Sequence, residues 1–167
     1  MAVGQLRRAC SRPGCPGMTE GRFCETHRGR AVVVCGPPCS GKSTYVEERR
    51  QPGDIVFDFD QVMRCITGLG PHEKPEDCIR VVLAMREALL GEIALGSLQR
   101  ATWIITTWPA EAEEMARLVN GEVVILATPI DTCLQRLRSD PDRPTHTHGG
   151  FEATIRRWHV RAGVALQ

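Results

Sequence analysis

Long hydrophobic runs, net charge and lysine are all scarce in this sequence, and each shortage narrows the reading. No apolar stretch approaches the ~18 residues that a membrane-spanning helix needs, so no membrane partner is expected. Arg7 and Arg8 lead into polar sequence where a secretory signal would carry its apolar core, so the chain is expected to be cytoplasmic. The formal net charge is only +1, from 21 Lys+Arg against 20 Asp+Glu. That excludes an overall attraction to nucleic acid, and any basic surface must be local. Among the 21 cations only Lys42 and Lys74 are lysines. Eight cysteines without a secretory signal point to reduced thiols or a metal site instead of disulfides. At 167 residues, 42% hydrophobic and 25% charged, the composition is that of one ordinary globular domain with room for a small appendage.

The stretch that is rich in meaning is Ala31–Ser43, AVVVCGPPCSGKS. Ala31–Cys35 is a short apolar run that reads as a buried strand. It ends in Gly36, Pro37, Pro38, Cys39, Ser40, Gly41, Lys42 and Ser43, which satisfies G-x-x-x-x-G-K-[ST] with a helix expected over Ser43–Arg50. Two glycines let the backbone turn with its N–H groups pointing inward, forming an anion cradle at the start of a helix. In such a loop Lys42 reaches the β- and γ-phosphates of a nucleoside triphosphate and the Ser43 hydroxyl holds Mg²⁺. Residues 36–43, with Tyr45 on the helix, are the expected ATP contacts. One of only two lysines falls where a phosphate-binding lysine is needed.

Residues 1–30 have a different character. Six arginines against Glu20 and Glu25 give a local charge of about +4, and no apolar period runs through them. They contain Cys10-x4-Cys15-x8-Cys24-x2-His27. Three thiols and an imidazole suit tetrahedral Zn²⁺, and four protein ligands make a closed, structural site. Pro13-Gly14 and Pro16-Gly17 supply turns. The competing reading is a disordered tail with free cysteines. The expected organisation is a zinc knuckle over residues 1–30 and a P-loop domain over 31–167. The segment resembles the short CCCH knuckles at the N-termini of phage-type proteins.

Beyond the P-loop, Asp54–Phe59 alternates as a strand carrying Asp58 and Asp60 at its C-terminal end, where a parallel sheet lines its ligand crevice. These carboxylates are read as a general base, as support for Mg²⁺, or, for Asp60, as the N-cap of a helix Gln61–Gly68 that also carries Arg64. A long amphipathic helix is expected over Pro75–Gly96, with Cys78, Val81, Val82, Met85, Ala88, Leu89 and Ile93 inward. Strands follow at Ala101–Thr107 and Glu122–Ala127, with helices at Ala110–Asn120, behind Pro109, and at Ile130–Arg138. Ser139–Gly150 is expected to be an irregular basic loop, with Arg136, Arg138 and Arg143 in or beside it. Phe151–Ala162 closes the chain as a helix.

This order of elements resembles the small P-loop kinase superfamily, which spans polynucleotide 5′-kinases, zeta-toxin-type sugar-nucleotide kinases and nucleoside monophosphate kinases. The fold implied is an α/β parallel sheet sandwiched by helices. The resemblance implies a carboxylate after the second strand, here Asp60 or Asp58, that activates the acceptor hydroxyl. It also implies a basic residue about one turn later, here Arg64, that holds an acceptor phosphate. The lid arginines of such enzymes correspond to Arg136, Arg138 or Arg143. Motor-type ATPases carry an acid at the end of an apolar strand, whereas this chain offers Thr106, Thr107 and Thr128. The expected activity is therefore transfer of the ATP γ-phosphoryl group to a hydroxyl of a nucleic acid or nucleotide. A deoxynucleoside monophosphate kinase and a non-catalytic nucleic-acid-binding module with a nucleotide switch are the alternatives.

Overall fold

The computed structural model describes residues 7–70, 73–141, 143 and 145–162. Four strands make one parallel sheet: β3 (Ala31–Cys35), β4 (Ile55–Asp58), β5 (Thr102–Thr106) and β6 (Glu122–Ile125), in the spatial order β4-β5-β3-β6. β3 is central, fully buried, and pairs in register with β5 through Ala31↔Thr102 and with β6 through Val32↔Glu122. Its unbroken apolar run is what a strand covered on both faces requires. Residues of alternate parity supply the two cores. Val33, Cys35, Phe57 and Ile104 pack against α2 (Phe59–Thr67), α3 (Glu76–Ala94) and α4 (Pro109–Val119). Val32, Val34 and Trp103 pack against Val46 of α1 (Lys42–Glu47). A third cluster joins Cys133, Leu134 and Leu137 of α5 (Ile130–Ser139) to Ile155 of α6 (His148–Arg161). The chain is thus a mixed α/β fold with a four-stranded parallel sheet flanked by helices.

Several expected boundaries move, each for a local reason. The P-loop helix ends at Glu47, not Arg50, because the N–H groups of both Arg49 and Arg50 turn back onto the Val46 carbonyl. Helix α2 starts at Phe59, and its N-cap is Asp58, not Asp60: the Asp58 carboxylate accepts the Asp60 N–H at 2.9 Å. Helix α6 begins at His148, so Gly149 and Gly150 are helical, and a short 3₁₀ turn at Thr145–Thr147 precedes it. The inward stripe of α3 is rotated from expectation. Val82, Leu90 and Ile93 are buried, while Val81, Met85 and Ala88 face out. A stripe phased on Val82 and Leu90 carries Arg86 inward with it.

Residues 7–30 hold a two-stranded pairing outside the main sheet. β1 (Arg8–Ala9) pairs antiparallel with β2 (Met18–Thr19). The backbone of this segment docks on the turn after α3, with Phe23 N–H to Gly96 O at 2.9 Å and Gly29 N–H to Leu98 O at 2.8 Å. The approach is so close that a Cβ on Gly29 would lie 1.8 Å from Arg100 O. This seam lies at the N-terminal ends of the strands. The P-loop lies beyond the C-terminal end of β3, so the two sites are separated by that strand, roughly 16 Å at ~3.3 Å per residue.

Candidate active site

The loop that follows β3 turns where the backbone demands it. A Cβ on Gly36 would meet Ser40 Oγ at 2.6 Å and Leu126 O at 2.8 Å, so only glycine lets the loop close. Gly41 has φ 92°, a left-handed conformation that delivers the chain into α1. Cys39 also sits at positive φ, 63°, where a side chain is strained. Its half-buried thiol packs against the Cys133 cluster, which binds the loop to α5. Replacing it with glycine removes a strain of about 1–2 kcal/mol and a small amount of packing. Cys39→Gly is therefore expected to change stability by less than about 1 kcal/mol, read as an unshifted denaturant midpoint.

Lys42 Nζ donates to Gly36 O and Pro37 O, both at 2.8 Å, and burial pushes its pKa below the usual lysine value. The buried Ser40 Oγ has no hydrogen-bond partner among the described residues. An enclosed cation, an orphaned hydroxyl and a cradle that a Cβ would fill suit a polyphosphate. Thr128 Oγ1 donates to Ser40 O at 2.9 Å, tying the loop to the segment after β6. Helix α6 braces both flanks. His159 Nε2 lies 3.0 Å from Thr128 O, and Trp158 Nε1 donates to Thr107 O at 2.7 Å.

The P-loop opens into a cleft of about 1160 Å³ along the C-terminal ends of the strands. Sheet order assigns its walls. On the β6 side stand Arg136 and Arg143. Arg136 Nη1 donates to Cys39 O at 3.2 Å. Arg143 stacks on Phe151 with 4.4 Å to the ring centre and is fixed by Asp140 at 2.8 Å. Arg138 is exposed and does not line the cleft. Tyr45 does line it, under the Arg49 guanidinium at 3.9 Å.

On the β4 side the two aspartates diverge. Asp58 Oδ2 accepts from Ser43 Oγ at 3.2 Å, so Asp58 faces the P-loop hydroxyl. Asp60 stands one step outward and pairs with Lys74 Nζ at 2.6 Å. Arg64 is exposed and outside the cleft. The cation beside Asp60 is Lys74, which comes from the loop before α3 and also lies 5.1 Å from the Phe59 ring.

Two cleft residues escaped the sequence reading as functional groups. Glu111, in the first turn of α4, takes the Thr106 hydroxyl on one carboxylate oxygen and Arg86 Nη1 at 2.6 Å on the other. No acid ends β5, and a carboxylate from the following helix comes to its last residue instead. The available signal was the phase of α3, because a stripe set on Leu90 puts Arg86 inside and in need of a partner.

At the other end of the sheet, Cys10, Cys15, Cys24 and His27 converge, with all four ligand atoms within 4.8 Å of one another. Cys15 Sγ to Cys24 Sγ is 3.8 Å, Cys10 Sγ to His27 Nδ1 3.7 Å, and Cys24 Sγ to His27 Nδ1 3.3 Å. A tetrahedral Zn²⁺ with Zn–S ≈ 2.3 Å and Zn–N ≈ 2.05 Å sets edges of about 3.8 and 3.6 Å. Backbone N–H groups of Cys24 and Arg12 pull the Cys10 thiol down to about 6, toward the thiolate that a metal needs.

The family AAA_33, described as an AAA domain, matches residues 32–159. No curated protein matches the chain by sequence. Among solved structures it is similar to shikimate kinase from Acinetobacter baumannii in complex with shikimate, with 24% identity and a TM-score of 0.51 over 80% of this chain and 76% of that one. At that identity the likeness speaks for the fold.

Proposed function

This chain belongs to the AAA domain family AAA_33, and from that premise we propose that it is an ATP-dependent phosphotransferase acting on a hydroxyl of a small molecule. The observation that carries the reading is the contact between Ser43 and Asp58, with Asp60 lining the same cleft. In this arrangement Lys42 releases the Gly36 and Pro37 carbonyls to hold the β- and γ-phosphates, together with the loop N–H groups and Ser40. Ser43 and Asp58 would hold Mg²⁺, which supplies charge neutralisation across the β- and γ-phosphates when bound. Asp60 takes the acceptor proton, with Lys74 aiming its carboxylate. Arg136 and Arg143, on the opposite wall, meet the charge that develops on the transferring group.

The polynucleotide reading loses its main support. The basic knuckle lies at the strand-start end of the sheet, so its charge does not line the acceptor wall. We propose a structural zinc for Cys10, Cys15, Cys24 and His27 in that knuckle, with residues 31–167 as the kinase unit.

The test is transfer from γ-labelled ATP with Mg²⁺ to sugars, nucleosides, dNMPs and 5′-OH DNA. Label on a small hydroxyl compound, abolished by Lys42→Ala, is the expected result. Label on 5′-OH DNA alone would restore the polynucleotide reading, and label on dNMPs alone would remove the need for a base. ATP bound but never turned over would leave a binding module.

A further inference from the structure

We infer that the acceptor is an uncharged polyhydroxylated molecule, of sugar or nucleoside size, and not a phosphate-bearing one. The inference rests on the kinase reading and concerns the charge of one wall of the cleft. That wall, at the ends of β4 and β5 and along α3, carries Asp60 and Glu111 against Lys74 and Arg86, with Asp58 turned to the P-loop hydroxyl. Its sum among the described residues is zero, two carboxylates against two cations. Each cation faces a carboxylate: Lys74 Nζ lies 2.6 Å from Asp60, and Arg86 Nη1 lies 2.6 Å from Glu111, while Arg86 Nε has no hydrogen-bond partner among the described residues. Arg86 is only 19% exposed on its side chain, which strengthens the pair by limiting water. The residue expected to receive an acceptor phosphate, Arg64, stands outside the cleft.

The donor wall keeps an excess of cations. Lys42, Arg49, Arg136 and Arg143 against Glu48, Asp58 and Asp140 sum to +1. The cleft is thus divided, with cations where a triphosphate belongs and paired carboxylates where the acceptor belongs. A phosphate brought to the acceptor wall would have to displace a carboxylate from its cation and then lie beside that carboxylate. A hydroxyl asks for the reverse: carboxylate oxygens are acceptors for O–H donors. Phe59 and Trp108, both in the cleft lining, offer apolar surface to the C–H side of a sugar or a base. Glu111 is the specificity-determining group, held in place by Arg86 and Thr106.

The measurement is kcat/KM for matched pairs: ribose and ribose 5-phosphate, myo-inositol and its 1-phosphate, adenosine and AMP. Uncharged members are expected to be favoured at least about tenfold, the factor that 1.4 kcal/mol provides. Glu111→Gln should raise KM for the uncharged acceptor by a similar factor and leave KM for ATP within about twofold. Equal use of both members, or preference for the phosphorylated ones, overturns the inference while the kinase reading stands. Label on neither member of any pair sinks both. An unchanged acceptor KM in Glu111→Gln, in a variant that still melts cooperatively, removes Glu111 from the argument.

Discussion

Asp60→Asn is expected to lower kcat/KM for phosphoryl transfer by about 10²–10⁴-fold, the range of a lost general base, with ATP affinity within about twofold of the parent. The reason is positional. Asp60 pairs with Lys74, on the β4 side of the cleft, whereas Asp58 is the carboxylate that meets the P-loop hydroxyl. Asp58→Asn should behave differently. Asp58 caps α2 and faces Ser43; asparagine caps a helix as well as aspartate does, so stability should hold, while loss of the charge raises the Mg²⁺ concentration needed and lowers the rate. Steady-state kinetics at several Mg²⁺ concentrations separate the two. If Asp58→Asn alone abolishes transfer and Asp60→Asn is nearly normal, the two assignments exchange. If both are nearly normal, the acceptor brings its own nucleophilic anion and the hydroxyl reading fails.

Removal of zinc is expected to unfold residues 7–30 and leave the nucleotide site intact. Four ligands in 18 residues bring together a segment with little core of its own, and apparent binding free energies of such sites run to about 10 kcal/mol or more. One zinc per chain should be found by elemental analysis, and Cys24→Ser should lose it. Hydrogen exchange should then rise at the Phe23 and Gly29 amides, which bond to Gly96 and Leu98 across the seam. Nucleotide affinity should hold within about twofold, because the length of β3 separates the metal from the P-loop; roughly 16 Å exceeds a Debye length of ~8 Å at physiological salt. Metal-free protein with unchanged exchange in the knuckle would refute the site. A large loss of ATP affinity would refute the separation.

Local chemistry was legible along the chain. The P-loop declared itself because its requirements are consecutive: glycines where the backbone must turn or come close, a lysine, and a hydroxyl. The Cys/His cluster was legible for the same reason, being four side chains within one short segment. Alternation in Asp54–Phe59 foretold which residues of β4 share a face of the sheet, since a strand alternates every residue. Helix α3 was harder. Its apolar residues cover much of the circumference, so several phases fit, and only packing against Phe57 and Ile104 selects the one that buries Leu90 and turns Arg86 inward.

The sequence by itself determined a parallel α/β P-loop fold and a cluster of three cysteines and a histidine, because each is encoded by neighbours in the chain. Tertiary structure alone decided what lines the cleft beside the P-loop. Glu111 and Arg86 are 25 residues apart, Asp58 and Ser43 are 15 apart, and Lys74 comes from a loop that no local pattern ties to Asp60. Those pairs exist because the strand order β4-β5-β3-β6 brings separate crossover connections to one end of the sheet. Residues 7–30 precede β3 and bond to the turn before β5, so in a parallel sheet their positive charge lies at the opposite end from the cleft.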